Sequence, residues 1–408
     1  MKQKILALTV GGSCAPLVAA IQQLEPHFVL FLASKESRET VNGAGTPCKL
    51  KDASALPSIV AQTGLREDQY RIVQLTDADD INLCYQQISN ELQQLDQQFG
   101  DCEHIADYTG GTKTMTATMA LAAVQHGWQL TLVKGMRTDL QQVRSGTEAL
   151  SRINSWELYV NLSLTNVQQL FNQYAYASAA QILQNFLSEG VLSSELQKRL
   201  NEWIALCRGF DAWDRFDHDL AYSLLEPFAG KMVQQWIFLK TLAKKRKGNG
   251  YEPVIDLMAN AQRRYARGRV DDAIARLYRA IEKIAQVRLS QRSPSLDPAC
   301  LKVELLPEPL QSAYQGKEKL ALREAYELLS QLSDPVGKAY ESEKSHLLDA
   351  LKLRNDSILA HGDHPLTAKD YERMCALIKG LLTAVETEIG ISLTPVEFPK
   401  VNSKGELC

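Results

Sequence analysis

The sequence predicts an α/β, Rossmann-like N-terminal domain with a mostly parallel sheet, followed by an all-α C-terminal domain. Three observations carry that expectation. The first 150 residues alternate short apolar runs with helical patterns, the signature of a parallel sheet covered by helices. From about Trp156 the apolar residues recur at spacings of three and four, and strand-like runs are essentially absent. Two strands of the first half end in glycine and hydroxyl residues that lead into helices. At 408 residues the chain exceeds the size at which one core keeps growing, so two domains with a helical connector are expected.

Taken in order, Ile5 to Val10 reads as a strand, Pro16 to Leu24 as a helix and Phe28 to Ala33 as a second strand. Arg71 to Leu75 is a third strand, followed by a helix from Asn82 to Phe99. His104 to Tyr108 is a fourth strand, Thr114 to His126 a small-residue helix, and Trp128 to Val133 a fifth strand, with a return hairpin over Gly135 to Ile153. In the second half, Tyr176 to Leu187, Phe216 to Phe228 and Val270 to Leu289 carry helical periodicity, although no regular repeat emerges. Breaks fall at the basic loop Lys244 to Gly250 and at the Pro/Ser-rich stretch Ser290 to Pro298. The polar tail after Thr394 is expected to be poorly ordered.

Apolar residues make up 45% of the chain and charged residues 23%, which is ordinary globular usage. A net charge of −3 argues against coating nucleic acid by bulk attraction and leaves room for a local basic patch. The eight cysteines, Cys14, Cys48, Cys84, Cys102, Cys207, Cys300, Cys375 and Cys408, show no C-x-x-C pair. They read as buried or incidental thiols of a reducing compartment. With no secretory signal and no apolar run long enough for a bilayer, a cytoplasmic location without membrane association is expected.

The glycine-hydroxyl turns are Thr9-Val10-Gly11-Gly12-Ser13 after the first strand and Asp107 to Thr114, DYTGGTKT, after the fourth. At the carboxyl ends of parallel strands such turns line the ligand crevice. Glycines admit an anion to the backbone, the helix N-terminus offers unpaired N–H groups, and Lys113 adds charge. Ser34 and Lys35 after the second strand would line the same rim. The predicted ligand therefore carries phosphates. Either motif alone is as well explained by a tight turn with a capping threonine; the pair at neighbouring strand ends favours a site. No G-x-x-x-x-G-K-[ST] loop and no G-x-G-x-x-G is present, which excludes P-loop ATP hydrolysis and dinucleotide redox chemistry.

VGGSxxP over Val10 to Pro16 with DYTGGTKTM over Asp107 to Met115 resembles the CRISPR-associated Rossmann-fold sensor domain, CARF. The resemblance covers the first third of the chain. It implies a dimeric sensor of cyclic oligoadenylate in which Thr9, Gly11, Ser13, Thr109, Gly110, Gly111, Thr112 and Lys113 contact the ring.

In the helical half, LKLRNDSILAHG over Leu351 to Gly362 puts Arg354 and His361 seven positions apart, nearly one face if the helix continues. Gly362 and Pro365 then predict a helix stop that leaves His361 at a C-terminus, where the dipole favours imidazolium. An arginine can hold a scissile phosphate and a histidine can move protons, a pair that suits RNA cleavage without a metal. The structural alternative pairs Arg354 with Asp356 or Glu343. The run Arg354, Asn355, His361 resembles the active-site motif of HEPN ribonucleases. That resemblance implies a composite cleft across a C2 homodimer, attack by a 2′-hydroxyl, a 2′,3′-cyclic phosphate product, and catalytic roles for all three residues.

Together the motifs resemble the CARF–HEPN ancillary RNases of type III CRISPR defence. The implied organisation is a sensor over 1–155, a helical connector over 156–250, a HEPN-type ribonuclease over 251–394 and a tail over 395–408. The implied function is a single-stranded-RNA endoribonuclease needing no cofactor, allosterically activated by cyclic oligoadenylate. The competing readings are a nucleotide-sensing regulator or scaffold, and a ring nuclease that cleaves the activator. Arg276, Tyr278, Arg279 and Glu282 are either site-lining residues or a solvated helix face. Trp213 and Phe216 read as core, His218 as a surface or capping residue. The Lys244 to Lys247 run reads as a solvated loop, with RNA contact as the alternative.

Overall fold

Strands that are apolar at every position belong in the middle of a sheet covered on both faces. β1 (Lys4–Val10, KILALTV) and β2 (Phe28–Ala33, FVLFLA) are buried over nearly their whole lengths. In the computed structural model, which describes residues 2–48, 55–134, 137–138, 142–143, 149–355, 357–358 and 363–408, they are joined by β3 (Tyr70–Gln74), β4 (Glu103–Asp107) and β5 (Gln129–Lys134). These five pair in parallel in the order β3-β2-β1-β4-β5. A two-residue hairpin, β6 (Arg137–Thr138) with β7 (Gln142–Val143), precedes β8 (Ala149–Ile153), which returns antiparallel against β5 as the expected hairpin does.

The period of two sorts the core. Ile5, Ala7, Leu30 and Leu32 point to one face, against Ile88 and Leu92 of α4 (Ile81–Gln98) and Met115 and Met119 of α5 (Lys113–His126). Leu6, Leu8, Val29 and Phe31 point to the other, against Leu17, Ile21 and Leu24 of α1 (Ala15–Leu24). Two short helices, α2 (Arg38–Asn42) and α3 (Ile59–Thr63), fill the connection from β2 to β3. Local chemistry fixes the long helix ends. The Asp80 carboxylate accepts from the N–H groups of Asn82 and Leu83 at the start of α4, and Gly127 takes the left-handed conformation that closes α5.

The cysteine expectation needs correction. Cys14, just before α1, is disulfide-bonded to Cys48, and the other six are free. The partners lie 34 residues apart and approach only when the segments after β1 and β2 fold together, so spacing could not disclose the pair.

The chain divides into two units, residues 1–165 with 186–198, and 166–185 with 199–408. The division falls within α6 (Ser155–Asn172), α7 (Tyr176–Glu189) and α8 (Ser194–Asp214). The second unit continues with α9 (His218–Leu225), α10 (Val233–Leu242), α11 (Glu252–Ala266), α12 (Val270–Ser290), α13 (Glu308–Tyr314), α14 (Leu322–Gln331), α15 (Pro335–Asn355) and α16 (Ala368–Ile389). α12 is its axis: Ile274, Leu277, Ile281 and Ile284 recur at helical spacing and are all buried, packed with Leu328 of α14, Leu347 of α15 and Leu377 of α16.

Two further expectations fail here. The tail is docked: Phe398 is buried, with ring centroids 4.9 Å from Phe210 and 4.8 Å from Trp213, and the Arg263 guanidinium lies 3.7 Å from its ring centroid. Lys400 and Cys408 pair through their backbones in both directions. One aromatic anchor thus outweighs the polar composition around it. Trp213 is core as expected, but Phe216 is 37% exposed on a residue of positive φ, where the chain turns between α8 and α9. Among the described residues no helix is long and apolar enough to cross a membrane.

Candidate functional site

The order β3-β2-β1-β4-β5 reverses direction between β1 and β4, which is where an open parallel sheet leaves its ligand crevice. The loops after those two strands carry the two glycine motifs, and they touch backbone to backbone. A Cβ on Gly11 would stand 2.6 Å from the Gly111 nitrogen, and one on Gly110 would stand 2.5 Å from the Thr9 carbonyl oxygen. Gly111 also holds φ at +97°. Glycine at 11, 110 and 111 is therefore required by the architecture, whatever binds there.

The hydroxyls of the motif divide by role. Thr9 is fully buried and donates to the Gly110 carbonyl, so it ties the loops together instead of reaching a ligand as expected. The Thr109 hydroxyl accepts from the Val133 N–H at 2.9 Å and anchors the loop to β5. Thr112 caps α5, accepting from Met115 N–H at 3.2 Å and donating to the Ala78 carbonyl at 2.7 Å. Ser34 is buried in a local turn, its amide donating to Ser37 Oγ at 2.9 Å, and is likewise withdrawn from the rim where it was expected. Exposed are Gly12, Ser13, Lys113 and, on the rim after β2, Lys35, while Gly11, Thr109, Gly110, Gly111 and Thr112 are half-buried. With them go the N–H groups of Lys113 and Thr114 in the first turn of α5, which have no intrahelical acceptor, the Met115 N–H being met by Thr112.

Asp107, at the end of β4, was not singled out from the sequence. It is fully buried; its Oδ1 accepts from the Thr109 N–H at 3.0 Å and its Oδ2 from the Thr131 hydroxyl at 3.0 Å. Burial pushes its carboxyl above the ordinary carboxylate range, and the hydrogen bonds from Thr109 and Thr131 oppose that rise. An acid closing an apolar strand run was the available signal, because a buried carboxylate there must be met by donors.

The helical unit places Arg354 and Asn355 in the last turn of α15. Their side chains, and His361 altogether, lie outside the described residues. The expectation of one helix running through to His361 is corrected. α15 ends at Asn355, and Ser357 forms an isolated parallel bridge with His364. With Ser357 in a bridge and Ile358 in a turn, the helix does not continue, which breaks the seven-residue face argument.

The opposite end of α15 is firmly built. Asp334 is buried, accepts from Arg288 Nε at 3.0 and 2.8 Å and from Arg292 Nη1 at 2.9 Å, and receives the Val336 N–H at 3.0 Å. Arg288 also reaches Glu388 of α16 at 3.0 Å. α12 and α16 are thereby tied to the start of the helix that carries Arg354.

The other residues singled out are tied up locally. Arg279 pairs with Glu282 at 2.8 Å, and Arg276 bonds Asn260 and the Asp272 carbonyl. His218 bonds Asp256 at 2.9 Å, whose other oxygen accepts from Trp213 Nε1 at 3.0 Å, while Asp217 caps α9. Among the described residues no group of three or more His, Cys, Asp and Glu side chains is placed to hold a metal ion.

Two family descriptions match the chain: the Csm6 6H domain over residues 159–250 and the Csm6 HEPN domain over residues 243–384. Among solved structures, Enterococcus italicus Csm6 bound to cyclic hexa-2′-fluoro-hexa-dAMP aligns with 96% of this chain and 95% of that one, at a TM-score of 0.60 and 12% identity. That likeness is one of fold. Can2 from Sulfobacillus thermosulfidooxidans in complex with cyclic tetra-adenylate matches at 14% identity over 56% of this chain and 69% of that one, with a TM-score of 0.23. Protein VC1899 from Vibrio cholerae matches at 10% identity over 68% of each, with a TM-score of 0.26. No curated protein matches. With a parallel-sheet domain carrying the paired glycine loops, a helical unit matched by two Csm6 descriptions, and one fold shared along nearly its full length, the chain belongs to the CARF–HEPN family of CRISPR-associated ribonucleases.

Proposed function

We propose that this chain is a cyclic-oligoadenylate-activated endoribonuclease of type III CRISPR antiviral defence, acting on single-stranded RNA in the cytoplasm. The observation that carries the reading is the Csm6 HEPN match over residues 243–384, which contains Arg354, Asn355 and His361. The organisation we assign is a sensor over 1–155, a connector over 156–250, a ribonuclease over 251–394 and a closing segment over 395–408.

In this reading a homodimer pairs two such motifs in one composite cleft. Arg354 holds the scissile phosphate, Asn355 belongs to the same constellation, and His361 moves protons. The 2′-oxygen attacks phosphorus as its proton is removed, and the 5′-oxygen leaves with a proton, giving a 2′,3′-cyclic phosphate and a 5′-hydroxyl without a metal. The activator binds at the crevice between β1 and β4, where Ser13, Lys113 and the N-terminus of α5 meet phosphate. Gly11, Gly110 and Gly111 let the two loops close on one another beneath the ring, while Thr9, Thr109 and Thr112 hold the loops. A cyclic nucleotide in the related Enterococcus structure supports this ligand class. The ring shifts the population toward a competent cleft, and by linkage RNA must tighten ring binding by the same factor.

The test is cleavage of a fluorescent single-stranded RNA in EDTA with cyclic tri-, tetra- and hexa-adenylate added separately, for wild type and His361→Ala. Activation by one ring that vanishes in the variant is expected. Ring binding without cleavage would replace this reading with a scaffold. Linear oligoadenylate produced equally by both proteins would add ring cleavage by the sensor.

A further inference from the structure

Five cations occupy eight residues at the end of α10: Lys240, Lys244, Lys245, Arg246 and Lys247. In a chain of net charge −3 that density is local, and it sits on a built loop. Lys245 N–H donates to the Lys240 carbonyl at 2.8 Å, closing the helix with Lys244 at a φ of +57°. The Glu252 carboxylate accepts from the N–H groups of Asn249 and Gly250 at 2.8 and 2.9 Å, and Gln291 Nε2 donates to the Asn249 carbonyl at 2.6 Å. Gly248 has no room for a side chain: a Cβ would stand 2.2 Å from a Glu252 oxygen and 2.4 Å from Thr241 Cγ2.

Most of the charge on this loop is uncompensated. The Glu252 carboxylate is committed to backbone N–H groups, and the one acid paired with a loop cation is Asp219, 3.9 Å from Lys245 with both side chains more than half exposed. Among the described residues Lys244, Arg246 and Lys247 have no carboxylate within ion-pair reach. The stacked rings of Tyr222 and Trp236 lie under the ammonium groups of Lys245 and Lys240, at 6.0 and 5.6 Å. Trp236 is buried, so these rings support lysine stems and are not a platform for bases. The four consecutive cations line a cleft of about 560 Å³.

A row of cations in a shallow cleft, whose one lining carboxylate, Glu252, is committed to backbone N–H groups, fits a strand of repeating phosphates. We propose that the Lys244 to Gly250 cleft is a docking site for the RNA phosphodiester backbone, separate from the Arg354 motif and indifferent to base sequence. The identity of the polyanion rests on the ribonuclease reading; the cleft itself does not.

The test uses the full chain carrying His361→Ala, so that RNA survives. Binding of a fluorescent single-stranded RNA is followed by anisotropy across a salt series, with and without Lys244→Ala, Arg246→Ala and Lys247→Ala combined. Three lost contacts at roughly 0.7 each should lower the salt slope by about 2 and weaken binding by about tenfold or more at low salt. The charge-conserving set Lys244→Arg, Arg246→Lys, Lys247→Arg should keep wild-type binding, and a shared melting temperature excludes misfolding. An unchanged slope in the alanine set overturns the proposal, as does a loss confined to phosphatidylserine vesicles. In the His361-containing protein, cleavage with unchanged KM would overturn the docking site and spare the ribonuclease. RNA docking without any cleavage would do the reverse.

Discussion

The two candidate regions hold their functional segments by opposite means. At the sheet crevice the loops after β1 and β4 are fixed by glycine backbones in contact and by neutral hydroxyls, with one buried acid, Asp107, at their root. In the helical unit the helix carrying Arg354 is fixed at its far end by charge, through Asp334 with Arg288 and Arg292. Glycine backbones and hydroxyls add no charge that competes with Lys113 and the α5 dipole for an anion. A charged clamp does no such harm at Asp334, twenty positions along the chain from Arg354. The contrast can be broken or sharpened experimentally.

The largest effect is expected from Asp334→Ala. It strands Arg292, leaves Arg288 with Glu388 alone and frees the start of α15, for about 3–5 kcal/mol of stability. Urea denaturation would measure it, and a loss below about 1 kcal/mol would show that the clamp is ornamental. Next comes Gly110→Ala, whose methyl meets the Thr9 carbonyl oxygen. A cost of about 1–3 kcal/mol is expected together with loss of ring binding by calorimetry, while Gly12→Ala, with open space around it, should leave stability unchanged.

At Asp107 the prediction separates charge from hydrogen bonding. Asp107→Ala should cost about 1–3 kcal/mol by abandoning two donors, whereas Asp107→Asn, which still accepts from Thr109, should cost far less. Because the folded carboxyl is raised, the native state holds its proton more tightly than the unfolded chain. Its contribution is full below the unfolded pKa and is lost as pH rises through the folded value. Stability of wild type relative to Asp107→Asn should therefore fall as pH rises over that window. A flat difference would remove burial as the dominant influence. The smallest effect is reserved for Arg279→Ala. Its exposed pair with Glu282 should change the melting temperature little, a fraction of a kcal/mol, with RNA cleavage retained.

The sheet was legible because buried parallel strands leave continuous apolar runs, as in FVLFLA, and because a glycine pair followed by a hydroxyl residue recurs at two strand ends. What was not legible depended on partners remote in sequence. Thr9 and Ser34 looked like ligand contacts until their neighbours claimed the hydroxyls. Asp107 stood inside the recognised motif without an assigned role, and Cys14 found Cys48 only through the folded connections. Periodicity carried α15 to His361, but it is blind to the bridge that Ser357 makes with His364 in place of a helical turn. Composition made the tail a loose end, where Phe398 seated on Arg263 and the hydrogen bonds of Lys400 and Val401 to Asn172 dock it. The domain boundaries and the roles of Arg354, Asn355 and His361 stand as proposals.

The contact of Gly11 with Gly111 makes one mechanical part of two segments a hundred residues apart. Neither loop can tilt without displacing the other, so the crevice has fewer degrees of freedom than its two loops suggest. An anion that draws the first turn of α5 toward itself by a fraction of an ångström must carry the end of β1 along. In hydrogen exchange, the amides of Gly11 and Gly111 should then open in a single event, with one shared protection factor that rises when the ring is bound.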